Sequence, residues 1–280
     1  MQTGAAVALR PPLFPFTRPH SFLLQDERFL RIRSLLATFS RLSVERIVQD
    51  LAVSRETVRR DLLELEGLGE LRRVHGGAIA TSAEPEPPLA VRLVARQREK
   101  RAIAKVAVTL LRPGQTVFMD SGSTMSICAE EIATLSGMTV ITNSLNIALK
   151  LAGAGEGRLT GNRTILLGGE IDVKAQATCG DTTVEAIRRY RADVALLSPV
   201  GLHAKHGAMS FEHHEATVAR AMAEQAQQLI LLADHAKIGQ ASRVSYARAA
   251  DIGVVVTDAK ARDLPGMAAL RKACERVVLA

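Results

Sequence analysis

The stretch "VSRETVRRDL", residues 53–62, decides how this chain is read. Projected as a helix at ~100° per residue, it gathers Val58, Leu62 and the following Leu65 on one side, a stripe fit for a core. Arg60 and Glu56 fall opposite, and Arg59 and Thr57 lie on the flanks. Asp61 sits at the edge of the apolar stripe, placed to hold an arginine. Ser54 has the side chain of an N-cap, whose oxygen takes a free N–H of the first turn. Upstream, Ser43 caps a second helix, "VERIVQDL", with Glu45 in its first turn, and only "AVS" separates the two. Further upstream Phe29, Ile32, Leu35, Leu36 and Phe39 form the stripe of another helix that begins near Asp26. Downstream, Gly67 and Gly69 stop the helix, and "ELRRVHGGAIA" (70–80) reads as two extended pieces around His75, Gly76 and Gly77.

Three helices and a hairpin over residues 26–80 predict a winged helix-turn-helix. In that motif the second helix enters the major groove with its N-terminal residues at base edges. Arginine suits the task, because its planar fork donates two parallel hydrogen bonds to guanine or to phosphate. Double-stranded DNA is therefore the expected partner, met by Ser54, Arg55, Thr57, Arg59 and Arg60. A solvated charged face is the plainer reading of an arginine pair, but here cap, turn, arginines and basic wing occur together.

Charge agrees. Of the formal +7, residues 1–113 carry 19 Lys+Arg against 12 Asp+Glu, while residues 114–280 carry 17 of each. A surplus confined to one end calls for an anionic partner there. A membrane surface has only this charge in its favour. Aromatic residues make up 3 % with no Trp, too few for single-strand stacking platforms. Cys128, Cys179 and Cys274 are odd in number and form no Cys-x-x-Cys pair, so neither a disulfide framework nor a structural zinc is expected, and a reducing cytoplasm is the default. Cys128, within a helical segment, reads as core. No apolar run approaches the ~20 residues that span a bilayer. The opening residues 1–25, broken by prolines, fail as a secretory signal and read as a disordered arm outside the fold.

"TSAEPEPP" (81–88) has nothing to bury and reads as a linker. It leads into a basic helix, "AVRLVARQREKRAIAKVAVTLL" (90–111), charged first and then apolar enough to dock. Residues 81–113 are thus expected to connect the two domains. From Gly114 to residue 280 the rhythm changes. Short apolar runs, "TVFM", "TVIT", "TILL", "VALLS", "LILLA" and "GVVVT", alternate with helical segments. Buried parallel strands alternating with helices predict an α/β domain with a Rossmann-like doubly wound sheet.

Four strand ends carry small polar loops: "DSGST" (120–124), "TNSLN" (142–146), "GGE" (168–170) and "ADHAKIG" (233–239). Ligands of open α/β sheets bind at the carboxyl ends of strands, and helix N-termini favour anions. "SGST" (Ser121, Gly122, Ser123, Thr124) and "NSLN", with Asn143 and Ser144, offer hydroxyls and backbone donors where helices begin. Lys237 adds positive charge. The set suits a phosphorylated sugar or polyol. His203, His206, His213 and His214 with Glu215 would be metal-ligand types, but their segment is irregular, and neither metal nor cofactor is expected.

"LSVERIVQDLAVSRETVRRDLLELEGLGELRRVHGGA" (42–78) resembles the N-terminal signature of the DeoR family of bacterial sugar-metabolism regulators, and the resemblance runs from about Glu27 to Asp258. It implies that 53–62 is the recognition helix and that Arg72, Arg73 and His75 belong to the DNA-contacting wing, with Gly76 and Gly77 allowing its turn. Arg92 and Lys100 match the family's connecting helix. The resemblance implies a sensor domain similar in fold to ribose-5-phosphate isomerase, with an effector pocket of Asp120, Ser123, Thr124, Thr142, Asn143, Gly168, Gly169, Asp234 and Lys237, and Glu215 in the pocket or at its rim. "FEHHEATVARAM" and "ADHAKIG" look most like the glycerol-3-phosphate repressor branch, which would make glycerol 3-phosphate a candidate effector. Two positions depart from the family: Asp172 stands where a basic residue often follows "GGE", and Ala236 replaces a hydroxyl before Lys237. Self-association through the sensor domain is also implied.

The expectation is a ligand-responsive, homo-oligomeric repressor of a sugar or polyol operon. The alternative is a sugar-phosphate isomerase-like enzyme fused to a DNA-binding domain. An enzyme needs a general base poised at a substrate carbon. Only Asp120 and Glu215 offer themselves, without the carboxylate-rich and glycine-lysine motifs of isomerases of similar fold.

Overall fold

The computed structural model describes residues 24–39, 41–74, 76–80, 87–153 and 161–280. His75, most of the expected linker and nearly all of the expected arm lie outside the described residues. The chain divides into two compact units, residues 1–83 and 84–280.

In the first unit α1 (Gln25–Phe39), β1 (Arg41–Ser43), α2 (Val44–Leu51) and α3 (Arg55–Gly67) precede a hairpin of β2 (Leu71–Val74) and β3 (Gly77–Ala80). Phe29, Ile32 and Leu36 from α1, Ile47 and Leu51 from α2, and Val58, Leu62 and Leu65 from α3 share one buried cluster with Leu71 and Ala78. α2 ends at Ala52, which takes a left-handed φ of 53° and turns the chain sharply into α3. β1, at three residues, is too short to show an alternating pattern and was not expected. It pairs with β3, so the wing is an antiparallel three-stranded sheet in the order β1-β3-β2. That pairing explains Gly77: a Cβ there would lie 1.9 Å from the carbonyl oxygen of Leu42. Gly76, at φ 75°, makes the turn.

The second unit begins with α4 (Leu89–Val94) and α5 (Gln97–Val108), then β4 (Thr116–Met119), α6 (Ser123–Ile132), β5 (Thr139–Thr142), α7 (Leu145–Gly153) and β6 (Arg163–Leu166). A ribbon of β7 (Glu170–Asp172) and β8 (Ala177–Cys179) follows, then α8 (Asp181–Arg188) and β9 (Ala192–Leu197). β10 (Gly201–His203), β11 (Gly207–Ser210), α9 (His213–Glu224), β12 (Ala226–Leu232), β13 (Val244–Ala247), β14 (Val254–Thr257), α10 (Pro265–Ala273) and β15 (Arg276–Leu279) complete it. Seven strands form one sheet in the order β15-β14-β12-β9-β4-β5-β6, each pair parallel.

Side chains of β4 alternate between its faces. Phe118 joins the cluster that holds Ile187 of α8, Met222 of α9 and Leu270 of α10. Val117 and Met119 join the opposite cluster, with Ile103 of α5, Met125 and Ile132 of α6, and Ile147 of α7. The sheet is therefore doubly wound. From central β4 the chain moves outward through β5 and β6, then returns to β4's other side as β9, so the topological switch lies between β4 and β9.

The basic helix expected over 90–111 is two helices. The break falls at Ala95–Arg96, where Arg96 takes a left-handed φ of 50°. α5 then packs Ile103, Ala104 and Ala107 into the sheet's cover.

Candidate functional site

α3 presents the residues expected to meet DNA. Its first turn is closed by Ser54, whose Oγ accepts the Thr57 N–H at 3.1 Å and lies 2.8 Å from the Thr57 hydroxyl. Val58, Leu62 and Leu65 are buried beneath it, and Arg55, Arg59 and Arg60 are exposed. The arginines are not alike. Arg55 pairs with Glu45 at 2.9 Å. On the wing, Glu66 takes both the Arg73 N–H, at 2.7 Å, and its guanidinium, at 2.8 Å. The backbone N–H of Arg73 is the main reason the Glu66 carboxyl is held below its usual range. Among the described residues, the side chains of Arg59, Arg60 and Arg72 make no hydrogen bond or ion pair.

Asp61 has the opposite fate. It is 1 % exposed and takes a two-pronged bond from Arg28 of α1, Nε to Oδ2 at 2.7 Å and Nη2 to Oδ1 at 2.9 Å. The aspartate after the arginine pair thus staples α1 to α3. The arginine it holds is 33 positions upstream rather than a neighbour in α3.

In the second unit the strand ends lie level, with Met119 of β4 opposite Thr142 of β5 and Leu196 of β9. Their loops are thus side by side at one edge of the sheet. Asp120 follows β4 and spans the switch point, its carboxylate accepting the Ser198 N–H at 3.2 Å. Gly122, at φ 148°, sets up α6, whose first residues Ser123 and Thr124 are buried. Thr142 accepts the Ser144 N–H, and the Asn143 amide donates to the Thr178 carbonyl at 2.8 Å. The Asn143 carbonyl Oδ1 is buried without a hydrogen-bond partner among the described residues. Gly168 accepts from Thr183, and a Cβ on Gly169 would lie 2.0 Å from the same hydroxyl, so these glycines admit α8's threonine.

A buried cation at this edge comes from α5. Lys100 is 3 % exposed, and its Nζ donates to Ser123 Oγ at 2.8 Å and to the Arg92 carbonyl at 2.5 Å. Burial pushes its pKa down to about 8; Asp234 pulls the other way, while Arg96, Lys237 and Arg92 add to the depression. Arg96 Nε stands 2.9 Å from Asp234 Oδ1, too oblique for a hydrogen bond, so Nε and Nη1 are buried without a hydrogen-bond partner among the described residues. Holding a non-glycine residue in the left-handed region costs roughly 1 kcal/mol, which Arg96 sustains while its side chain turns to Asp234. Asp234 also accepts the Ala236 N–H and so braces the loop that carries Lys237. The loop closes through a backbone bond to Asp234 rather than through a side chain at Ala236.

Arg96 and Lys100 were not among the expected pocket residues. For Lys100 a signal was legible: with Ile103, Ala104 and Ala107 it sits at i, i+3, i+4 and i+7, a lysine on the apolar stripe. For Arg96 there was none.

Glu215 stands at the start of α9. Its Oε2 accepts the Ser210 hydroxyl at 2.7 Å. Beside it His214 Nε2 lies 2.9 Å from Asp172 Oδ2, and Asp172 Oδ1 accepts the N–H groups of Lys174 and Ala175. Burial raises the Asp172 pKa, but the Ala175 N–H, the His214 ring and the Lys174 N–H outweigh it and leave the carboxyl below its usual range. The carboxylate at this departure from the family pattern therefore faces an imidazole.

Comparison with known proteins agrees with these features. The chain is 34% identical over 237 residues to the HTH-type transcriptional repressor GlcR of Bacillus subtilis, covering 84% of this chain and 89% of that one. It is 30% identical over 235 residues to the glycerol-3-phosphate regulon repressor of Escherichia coli, covering 84% and 91%. Ribose 5-phosphate isomerase A of Methanocaldococcus jannaschii overlays 51% of this chain and 55% of its own at 14% identity and a TM-score of 0.37, a likeness too loose to build on. With the DeoR-like helix-turn-helix domain matched over residues 24–84 and the DeoR C terminal sensor domain over residues 95–259, the chain belongs to the DeoR family.

Proposed function

We propose that the chain is a DNA-binding repressor of a sugar or polyol catabolic operon, released or engaged by a phosphorylated sugar or polyol bound at the strand ends of its second unit. The named repressors among its relatives support a regulator over the isomerase-like alternative. One observation carries the effector assignment. Lys100, bonded to Ser123 at the start of α6, has Arg96 and Lys237 nearby; burial first, then repulsion from these cations, lowers its pKa, with Asp234 partly offsetting them. A buried lysine with half-buried cations beside it at a helix N-terminus calls for an anion.

In this reading the ligand phosphate takes the Lys100 ammonium, the Ser123 hydroxyl and the first N–H groups of α6, and Arg96 Nη1 gains the partner it lacks. Asp120 and the Asn143 carbonyl accept ligand hydroxyls, while Asp234 positions Arg96 and Lys237. Arg59, Arg60 and Arg72 meet DNA. Arg55 and Arg73, already paired to glutamates, serve chiefly to orient α3 and the wing. Two-fold-related half-sites are the usual target of such helices, so the protein acts as a homo-oligomer; sedimentation as a monomer both free and on DNA would contradict this. The ligand shifts repression only by preferring one DNA-affinity state.

A thermal-shift series tests the effector assignment. Glycerol 3-phosphate and a panel of sugar phosphates are compared with inorganic phosphate and the unphosphorylated parents. A ligand that binds only the folded chain raises its melting temperature. At least one phosphorylated compound should do so while its parent does not. An equal response to parent and phosphate ester would remove the anion seat from the account.

A further inference from the structure

Outside the strand-end loops, one group of side chains has a chemistry that the effector reading does not use. Asp172 from the β7–β8 ribbon and His214 and Glu215 from the first turn of α9 bring one ring nitrogen and two carboxylate oxygens within 4.8 Å of one another, each residue half-buried. We propose that these three residues bind a divalent first-row transition ion, of which Zn²⁺ is the representative.

The geometry is close to what such an ion requires. Zn²⁺ holds nitrogen and oxygen donors at about 2.0–2.2 Å in a tetrahedral arrangement, so two donors of one ion stand about 3.4 Å apart. The His214–Asp172 pair, at 2.9 Å, has to open slightly, and donors now within 4.8 Å of one another have to close by at most about 1.4 Å to reach that tetrahedral spacing. The ion enters between His214 Nε2 and Asp172 Oδ2 and replaces their hydrogen bond, leaving the neutral ring's proton on Nδ1. The ligands are also held from behind, as metal ligands characteristically are. Asp172 Oδ1 is fixed by the Lys174 and Ala175 N–H groups, which turns Oδ2 toward the imidazole. Glu215 is fixed by the Ser210 hydroxyl.

The surrounding field is negative. Burial and then Asp172, Glu170 and Glu215 raise the pKa of the Cys179 thiol, so three carboxylates converge on this corner. Among the described residues neither Asp172 nor Glu170 pairs with a lysine or arginine. One imidazole with two carboxylates favours Zn²⁺, Mn²⁺ or Co²⁺ over Mg²⁺ and Ca²⁺, which take oxygen, and over Cu⁺, which takes sulfur. Three protein donors leave positions for water or for a hydroxyl of a bound molecule. The ion would tie the β7–β8 ribbon to α9. The inference does not rest on the identity of the effector.

The test uses the full chain stripped with EDTA, titrated with Zn²⁺ by calorimetry and with Co²⁺ by visible absorption. One ion per chain is expected, with Co²⁺ bands that Zn²⁺ displaces. His214→Ala and Asp172→Asn should each lose at least tenfold in affinity, and Ser210→Ala, behind Glu215, about tenfold. His203→Ala, at the β10–β11 turn where the His203 and His206 rings lie 4.9 Å apart, should bind as the wild type does. Circular dichroism checks each variant's fold, and His214→Ala carries the test if Asp172→Asn fails to fold. The proposal is overturned if the wild type takes up no Zn²⁺ in excess metal, or if His214→Ala binds it unchanged.

Discussion

The two units place their functional cations in opposite settings. On α3, Arg59 and Arg60 stand exposed with no carboxylate partner among the described residues. At the sheet edge, Lys100 is buried beside other cations, with its pKa down at about 8. The attraction of the exposed pair to DNA falls steeply with salt. The buried lysine is shielded from salt but can be discharged by mild alkali. A polyanion can be met by a permanent, screened surface; a small ligand must be recognised by a charge made costly in its absence. The difference in burial separates the two tasks, and four outcomes break or sharpen it.

The largest effect concerns the charge that α3 hides. Asp61→Ala leaves the Arg28 guanidinium without its carboxylate, and removing one member of a buried pair costs on the order of 3–5 kcal/mol. Arg28 is 16 % exposed, so the lower end is expected, read by urea denaturation. A loss typical of surface sites would refute the staple.

Lys100→Met comes next. Its shift from 10.5 to about 8 corresponds to roughly 3 kcal/mol of net penalty on the charged form, burial being the largest part. The variant should lose the response to phosphorylated ligands without a fall in melting temperature at neutral pH. The sign follows from proton binding. Below pH 8 the lysine is charged folded and unfolded, and the fold bears the full penalty. Between about 8 and 10.5 the unfolded chain keeps a proton that the fold has lost, so this group's contribution to stability rises with pH. Any stability advantage of Lys100→Met should therefore shrink across that window.

The same titration predicts the third outcome. Wild-type affinity for a phosphorylated ligand should fall as pH rises through about 8, where Lys100 discharges, and flat affinity to pH 10 would exclude it from the anion seat. The smallest effects belong to the surface. Arg60→Ala should weaken operator binding by ~1–3 kcal/mol if it reads a base edge. Arg73→Ala should cost less, because Glu66 already holds it.

What was legible in the sequence follows the same division. The stripe of Val58, Leu62 and Leu65 was visible because an exposed helix must alternate its faces every 3.6 residues. The runs from "TVFM" to "GVVVT" were visible because strands covered on both faces are continuously apolar. β1 was not, being three residues whose role comes from pairing with β3. The break at Arg96 was not, since a left-handed arginine has no local signature. The pairs that build the sites, Arg28 with Asp61 and Asp172 with His214, join residues 33 and 42 positions apart. Such pairings are fixed by the tertiary fold and leave no periodicity. Lys100 showed its place on an apolar stripe, yet its ordinary appearance in a basic segment hid its role.

Fluorescence anisotropy on an operator duplex, selected with the wild-type protein, tests the division of labour most directly. Wild type, Arg60→Ala and Lys100→Met are compared with and without the sugar or polyol phosphate that gives the largest melting shift. Arg60→Ala should bind DNA about 10-fold or more weaker and still show the ligand-induced melting shift, whereas Lys100→Met should bind DNA like the wild type and ignore the ligand. If Lys100→Met still answers at the wild-type ligand concentration, or Arg60→Ala binds DNA undiminished at matched salt, the assignment of DNA reading and ligand sensing to these cations is wrong.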